Sequence, residues 1–401
     1  MTPDVCADPD VLAESVDRRA QEAGLSADVG DVSPEAGQTV LVLQGGGALG
    51  AYQGGVYEAL CEGDLAPDWV VGTSIGAINA AIIAGNRAED RLSRLHAFWR
   101  RVQRGPIADA LSRSGPIGRA MADTWVMSAG LPGFFRPAPI GLGFDVVTRP
   151  ERASFYDTAP LAKTLSELVD FELLNRGGMR LTVGAANLRT AELRYFDSRR
   201  EALTVDHIMA SCALPPAFPP VRIDGDLYWD GGVVSNTPVE AVFDDRPRRS
   251  GLIFTVHMWN PDGEEPDTLA RVIAREKDVR YCSRAVSHVA RQKQLHRLRH
   301  VIAELTRRLP EAVREDAEVK ELSAYGCTTR MHVVRLLAPA LSDETSTKDL
   351  DFGAFGIEAR WRAGYEDTAR VLAQAPWRRP FDPIEGFILH EASSGVVIKD
   401  G

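Results

Sequence analysis

The most informative stretch for the fold is WVVGTSIGAINAAIIA, residues 69–84. Its apolar start predicts a short buried strand over residues 69–71, followed by a tight turn over 72–76 and a buried helix over 77–84. The run is uncharged as far as residue 86 and approaches membrane-spanning length. Its threonine, serine, asparagines and glycines nevertheless favour a buried strand-turn-helix unit over a span.

The same pattern stands upstream, where a β-branched run at residues 39–43 precedes GGGALG at 45–50 and a helical pattern at 51–62. Strand, helix, strand and helix in succession predict an α/β protein with a mostly parallel sheet covered by helices. Further strands are expected at 180–187, 192–197, 252–258 and 331–337. A hairpin is expected over 221–229, turning at Asp224-Gly225. Residues 105–149 read as a long excursion over the sheet.

Gly72-Thr73-Ser74-Ile75-Gly76 has the pattern G-x-S-x-G between the predicted strand and helix. A serine hydroxyl that attacks an ester must project from a sharp turn, and such a turn leaves room only for glycine two residues to either side. The helix start adds exposed N–H groups and positive dipole, which favour a developing negative charge. Ser74 is therefore the candidate nucleophile.

The glycine loop, Gly45 to Gly50, also satisfies G-x-G-x-x-G, the pattern of a dinucleotide-binding turn. That fold requires an acidic residue at the far end of the second strand, whereas Asp68 stands at its near end. The loop instead fits an oxyanion hole that uses the N–H groups of Gly46, Gly47 and Ala48. Both loops follow parallel strands, so they are expected on one edge of the sheet.

A nucleophilic serine needs a base, and none of the eight histidines stands in a glycine-rich turn suited to that role. The carboxylate in a better setting is Asp230, which opens Asp230-Gly231-Gly232 after the predicted hairpin. Since Asp224-Gly225 already supplies the hairpin turn, the second pair calls for another role. We expect Asp230 to be buried beside Ser74, because desolvation strengthens a carboxylate as a base.

With these motifs the sequence resembles the patatin-like phospholipases. The resemblance rests on the glycine loop, the G-x-S-x-G turn and D-G-G in that order, with ASCALP at 210–215 and FPPV at 218–221, and covers about residues 38–260. It implies a three-layer α/β/α sandwich, a dyad of Ser74 and Asp230 without a catalytic histidine, and no metal or cofactor. It also implies hydrolysis of phospholipid, lysophospholipid or neutral-lipid esters through an acyl-enzyme. Leu49 departs from the family, which often has Arg or Lys there.

Three regions are expected along the chain. Residues 1–37 form an acidic, disordered arm, with net charge −7 over the first 36 of a chain whose total is −10. Residues 38–260 form the catalytic domain. Residues 261–401 form a mainly helical extension packed on it, which resembles the extension of a bacterial subgroup. In this extension, Leu295, Leu298, Ile302, Leu305 and Leu309 recur at helical spacing and predict a buried stripe.

The composition bounds the partners and the location. No basic excess supports nucleic-acid binding, and five widely separated cysteines indicate neither a disulfide framework nor a zinc cluster. Since no signal peptide is visible, the cytoplasm is expected. The basic helix near residues 271–308 suggests a peripheral membrane contact with anionic headgroups, although a solvated face is the more common meaning of such charge.

The prediction is therefore a serine lipid acyl hydrolase of the phospholipase A or lysophospholipase type. Two alternatives stay open. One is an α/β-hydrolase triad that adds a later histidine, such as His332, to Ser74 and Asp230. The other is a non-catalytic module that binds a lipid or granule surface.

Overall fold

The computed structural model describes residues 37–112, 114–138, 147–341, 346–382 and 384–391. The predicted arm, and the short helix expected near residues 11–23, lie outside these ranges apart from Gly37. The strands are β1 (Gln38–Leu43), β2 (Trp69–Gly72), β3 (Arg136–Pro137), β4 (Tyr156–Asp157), β5 (Arg180–Asn187), β6 (Leu193–Asp197), β7 (Val221–Ile223), β8 (Asp226–Asp230), β9 (Gly251–His257), β10 (Met331–Leu337) and β11 (Phe387–Glu391).

The helices are α1 (Ala51–Glu62), α2 (Ile75–Ala84), α3 (Arg91–Arg101), α4 (Pro106–Ser112), α5 (Pro116–Ala129), α6 (Ala159–Leu168), α7 (Phe171–Asn175), α8 (Val205–Ser211), α9 (Glu240–Phe243), α10 (Leu269–Arg308), α11 (Glu311–Arg314), α12 (Ala317–Ser323) and α13 (Ala354–Gln374). Short 3₁₀ turns occupy Gly47–Gly50, Pro150–Arg152, Gly231–Val233, Lys348–Leu350 and Pro376–Arg378.

One large sheet organises the described part of the chain, in the order β11-β10-β9-β1-β2-β5-β8-β7, with β6 also paired to β5. The neighbours from β11 to β5 are parallel, and the pairings among β5, β6, β8 and β7 are antiparallel. This confirms the predicted α/β class and its mostly parallel sheet.

Helices cover both faces of the sheet because successive strand side chains point to opposite sides. Leu41 and Leu43 of β1 pack into the larger core with helices that include α1, α2 and α3. Val40 and Val42 face the other way, into a smaller core that contains residues of α9. The fold is thus the expected three-layer sandwich.

The segment after residue 260 contributes strands as well as helices. β10 pairs with β9, and β11 pairs with β10, so both extend the same sheet. The predicted strand at 331–337 is confirmed, whereas β11 was not predicted. The division near residue 260 stays a prediction, and it does not separate two sheets.

The excursion expected at 105–149 contains two helices, α4 and α5, that were not predicted. Another expectation needs correction. The predicted stripe on α10 is wrong, since Leu298 and Leu305 are both 60% exposed. The buried residues on that part of α10 are Gln292, His296 and His300. Both histidines lie within hydrogen-bonding distance of the carbonyl of Thr329, a polar partner that allows burial where an apolar pattern predicts none.

Candidate active site

Ser74 lies on a strained turn between β2 and α2. Its backbone has φ 57° and ψ −129°, a conformation that a non-glycine residue adopts only where the surroundings enforce it. A side chain at Gly72 would bring its Cβ to 2.4 Å from the carbonyl oxygen of Gly76, and one at Gly76 would meet that of Leu43 at 2.3 Å. The sequence therefore folds here into the sharp turn that G-x-S-x-G predicts.

The pairing of β5 brings Asp230 to this turn. Gly72 of β2 is opposite Val183, and Asp230 at the end of β8 is opposite Ala185, two residues further along β5. Ser74 itself follows Gly72 by two residues. Ser74 and Asp230 are therefore neighbours, because the strands that precede them, β2 and β8, both pair with β5.

Asp230 is a buried carboxyl, 1% exposed. Its Oδ1 accepts the backbone N–H of Gly232 at 2.7 Å, while Oδ2 has no hydrogen-bond partner of ordinary geometry in the described chain. Burial raises the pKa of Asp230 to about 7, and the nearby Ser74 hydroxyl and the Gly232 N–H limit that rise. A carboxyl with such a pKa has the proton affinity that general-base work at neutral pH requires.

The segment Ser211 to Ala213 holds both halves of this pair. The N–H of Ser74 donates to the carbonyl oxygen of Ser211 at 3.1 Å, and the Cys212 thiol donates to the carbonyl oxygen of Ser74 at 3.2 Å. One residue on, the carbonyl oxygen of Ala213 accepts the N–H of Asp230 at 3.0 Å. This segment is part of ASCALP, which the sequence identified only through the family resemblance and without a structural role.

The glycine loop presents free amides beside Ser74. The backbone N–H groups of Gly46, Gly47 and Ala48 have no hydrogen-bond acceptor among the described residues. Gly46 and Gly47 line the same pocket as Ser74, whereas Ala48 does not. Two of the three predicted oxyanion donors, Gly46 and Gly47, thus line one pocket with Ser74, the predicted nucleophile, and Ala48 does not.

Neutral side chains anchor this loop. The carbonyl oxygen of Gly45 accepts Asn236 Nδ2 at 3.0 Å and Trp259 Nε1 at 2.8 Å. Because carbonyl and N–H point oppositely across a trans peptide, these donors turn the Gly46 N–H away from themselves. Gln44 is fully buried, and its Oε1 accepts the N–H of Met258 at 2.5 Å. The sequence alone gave no signal for these anchors.

The other predicted glycines shape the surroundings. Gly50 packs on Ile75, Gly231 packs on the carbonyl of Gly184, and Gly232 supplies the N–H that Asp230 accepts. In the described chain, no group of three His, Cys, Asp or Glu side chains is arranged to hold a metal ion.

The pocket has a volume of ≈ 130 Å³ and combines polar and apolar walls. All eight histidines lie in the described ranges, and none lines it. His332, the triad alternative, lies on β10 with its Nδ1 3.0 Å from His390 Nε2. The apolar lining comes from several parts of the chain: Ile75, Phe134, Phe135, Leu214, Ala217, Phe218, Leu350 and Phe352.

A strained serine, a buried carboxyl and unpaired amides at one pocket form the arrangement that acyl-transfer hydrolases use. The sequence model described as patatin-like phospholipase matches residues 41–243, half of the chain, so the chain belongs to the patatin-like phospholipase family. A second model, described as patatin phospholipase, matches residues 279–384.

Individual relatives have similar descriptions. A patatin-like phospholipase domain-containing protein of Pyricularia oryzae is 45% identical over 228 residues, which are 53% of this chain and 25% of the relative. Lysophospholipase nte1 of Aspergillus terreus is 25% identical over 260 residues, 59% of this chain and 14% of the relative. The chain thus spans a quarter or less of these relatives. Both are fungal, and the bacterial subgroup stays a prediction.

Two solved structures match this chain at low similarity. VipD from Legionella pneumophila is 16% identical with a TM-score of 0.37, over 84% of this chain and 67% of that one. ExoU from Pseudomonas aeruginosa, in complex with SpcU, is 16% identical with a TM-score of 0.32, over 86% and 53%.

Proposed function

We propose that this protein is a serine lipid acyl hydrolase, of the phospholipase A or lysophospholipase type, that works through a Ser74–Asp230 dyad. The observation that carries the proposal is the unpartnered Oδ2 of a buried carboxyl at the pocket that Ser74 lines. A carboxylate in that position accepts the serine proton, and catalytic hydrogen bonds often tighten only when substrate binds.

The proposed reaction runs in two steps. Ser74 Oγ attacks the acyl carbonyl carbon while Asp230 takes its proton, and the N–H groups of Gly46 and Gly47 stabilise the oxyanion. Collapse releases the alcohol, which takes the proton from Asp230 and leaves an acyl-serine. Water then attacks this ester with Asp230 again as base, which releases the fatty acid and restores the hydroxyl. The absence of histidine from the pocket lining disfavours the triad alternative.

Active-site labelling tests this function against the non-catalytic alternative. A fluorophosphonate probe is expected to label the wild type and not Ser74→Ala, with release of fatty acid from lysophosphatidylcholine following the same pattern. His332→Gln should keep both signals. An unlabelled wild type without esterase activity would favour the binding module, and loss of activity in His332→Gln would favour the triad.

We also propose that the protein meets lipid surfaces through α5. Ile117, Met121 and Trp125 are spaced four residues apart and are 78%, 54% and 55% exposed. Trp125 lines a groove together with Phe135, which also lines the active-site pocket. An apolar face leading to the pocket suits a lipid esterase whose substrate lies in a bilayer.

The basic helix α10 is a weaker candidate for this contact, because acidic side chains already pair with much of its charge. Examples are Arg271 with Asp267, Lys277 with Asp349 and Arg307 with Glu304. No described helix combines the length and apolar character needed to cross a bilayer. The free state of the four described cysteines supports a cytoplasmic location.

Flotation with phosphatidylcholine vesicles tests the α5 contact. Trp125→Ser should lower the bound fraction severalfold, while Leu322→Ser, which removes a leucine that is 60% exposed on α12, should not. Equal binding of the two variants would argue against α5, and sensitivity of wild-type binding to anionic lipid and salt would favour α10 instead.

A further inference from the structure

A short segment from beyond residue 260 enters the active site. We call residues 346–352 the C-terminal strap; it includes the 3₁₀ turn Lys348–Leu350 and leads into α13. Asp349, Leu350 and Phe352 of this strap line the pocket together with Ser74 and Asp230. The catalytic pocket is therefore closed by residues about 120 positions beyond the acid.

The strap touches the glycine loop directly. A Cβ added to Gly47 would lie only 2.3 Å from the carbonyl oxygen of Asp349, which is too close for a side chain there. Gly47 also has φ +57°, so glycine is required there both by its conformation and by the strap. The strap and the proposed oxyanion donors thus form one contiguous wall.

Ion pairs fix the strap on two sides. Lys277 Nζ of α10 lies 2.7 Å from Asp349 Oδ1, and Lys348 Nζ lies 2.8 Å from Asp278 Oδ1. Outside α10, Arg104 Nη2 lies 3.0 Å from Asp351 Oδ1, and the backbone N–H of Arg104 donates to the carbonyl oxygen of Phe352 at 3.0 Å. These contacts hold the strap over the pocket.

The strap side chains complete an apolar cluster. The ring of Phe352 lies 5.7 Å from that of Phe134, which lies 6.0 Å from that of Phe218. Phe352 is 2% exposed and also stacks on Trp99, while Leu350 is half-buried at the pocket. A wall of this kind offers a hydrocarbon chain burial without hydrogen bonds, at about fourfold in affinity per methylene.

We propose that Leu350 and Phe352 are specificity-determining residues that limit the length of the acyl chain in the pocket. This inference rests on the proposed acyl hydrolase function. It assigns the C-terminal region a direct part in substrate selection, since the strap supplies two of the apolar side chains that line the pocket. Chemistry at Ser74 stays with the catalytic part of the chain.

The test is a chain-length profile of kcat/KM for p-nitrophenyl esters from butanoate to palmitate. Leu350→Ala should raise the ratio of kcat/KM for the longest to the shortest ester about tenfold. Leu372→Ala is the matched control, because Leu372 is a half-buried leucine of the same region, on α13, that does not line the pocket. Phe352→Leu provides a second, milder enlargement, with melting curves recorded for every variant.

The outcomes separate the two proposals. If the wild type hydrolyses esters and both pocket variants keep its profile, the strap does not set chain length and this inference is wrong. A shift shared by Leu372→Ala would overturn it as well, since the effect would then be general loosening. If the wild type neither hydrolyses esters nor reacts with fluorophosphonate, the proposed function itself fails. A folding failure of Phe352→Leu leaves Leu350→Ala to decide.

Discussion

The two walls that meet at Gly47 are held in opposite ways. The glycine loop is fixed by neutral donors, Asn236 and Trp259, which are 6% and 2% exposed. The strap is fixed by ion pairs, in which the Lys277 and Asp349 side chains are 24% and 23% exposed. Both walls line one pocket, yet only the second depends on charge.

Salt acts on these two kinds of contact differently. Buried hydrogen bonds between neutral groups are insensitive to ionic strength, whereas partly exposed ion pairs weaken as salt screens them. The contrast implies that the proposed chemistry depends on the glycine loop, which salt barely affects. The proposed chain-length selection depends on the strap, which salt can loosen.

The largest expected effect is at the acid itself. Asp230→Asn removes the proposed base and should lower kcat by about a hundred- to ten-thousandfold. Because burial raises the folded-state pKa of Asp230 to about 7, its stabilising contribution is present at low pH and lost as pH rises through 7. The variant should therefore gain stability over the wild type, by about 2 kcal/mol more at pH 8 than at pH 5.

Chemical denaturation at both pH values measures this gain. Ser74→Ala lacks the proposed nucleophile but keeps the Asp230 carboxyl, so it should not show the pH-dependent gain in stability. If Asp230→Asn retains wild-type turnover, the proposed Ser74–Asp230 dyad is wrong.

The pH dependence of catalysis is the next largest effect. A base must be unprotonated, so kcat/KM should fall about tenfold per pH unit below the pKa of Asp230, which is about 7, and level off above it. Rate profiles between pH 5 and 9 with a soluble ester measure this inflection. A flat profile across pH 7 would show that Asp230 does not supply the titrating group.

Removing one anchor of the glycine loop should cost less. Trp259→Phe deletes the indole N–H that the Gly45 carbonyl accepts, and we expect kcat to fall about tenfold with little change in KM. Trp377→Phe is the matched control, since the Nε1 of Trp377 is buried without a partner in the described chain. Steady-state kinetics on both variants compare them, and equal losses would point to packing rather than loop anchoring.

The smallest expected effect is that of salt on the strap. Raising NaCl from 0.05 to 0.5 M should increase the long-chain to short-chain ratio of kcat/KM about two- to threefold in the wild type. Lys277→Met should show a raised ratio already at low salt and a smaller further response, because the Lys348–Asp278 and Arg104–Asp351 pairs remain. Arg176→Met, which breaks an exposed pair with Glu172, should behave as the wild type. A salt response in Lys277→Met as large as that of the wild type would contradict the contrast between the walls.

Local patterns predicted the parts of the fold that are contiguous in sequence. The strand, turn and helix at residues 69–84 were readable because apolar runs and two glycines specify them without distant partners. The Asp224-Gly225 hairpin turn was readable for the same reason. The face of α10 was not, since the burial of His296 and His300 depends on a carbonyl about thirty residues away.

The candidate site divides along the same line. Ser74, the glycine loop and Asp230 could be predicted from the sequence, because each is accompanied by glycines that its backbone conformation requires. Trp259 and the strap act through contacts with residues far along the chain, such as Lys277 with Asp349, and no spacing rule connects those positions. Ala48 was predicted as an oxyanion donor because adjacent loop amides look equivalent in a sequence. The pocket lining includes Gly46 and Gly47 but not Ala48, and the role of Ala48 stays a prediction.

The separation of serine and acid is measured along β5, so it is independent of how many residues lie between them. Extra residues in the turn at Gly177 and Gly178, where an added side chain would meet nothing within 4 Å, should leave that distance intact. The loops that connect these elements can thus change in length, and the chain can even be cut and rejoined elsewhere, as long as β2, β5 and β8 keep their register.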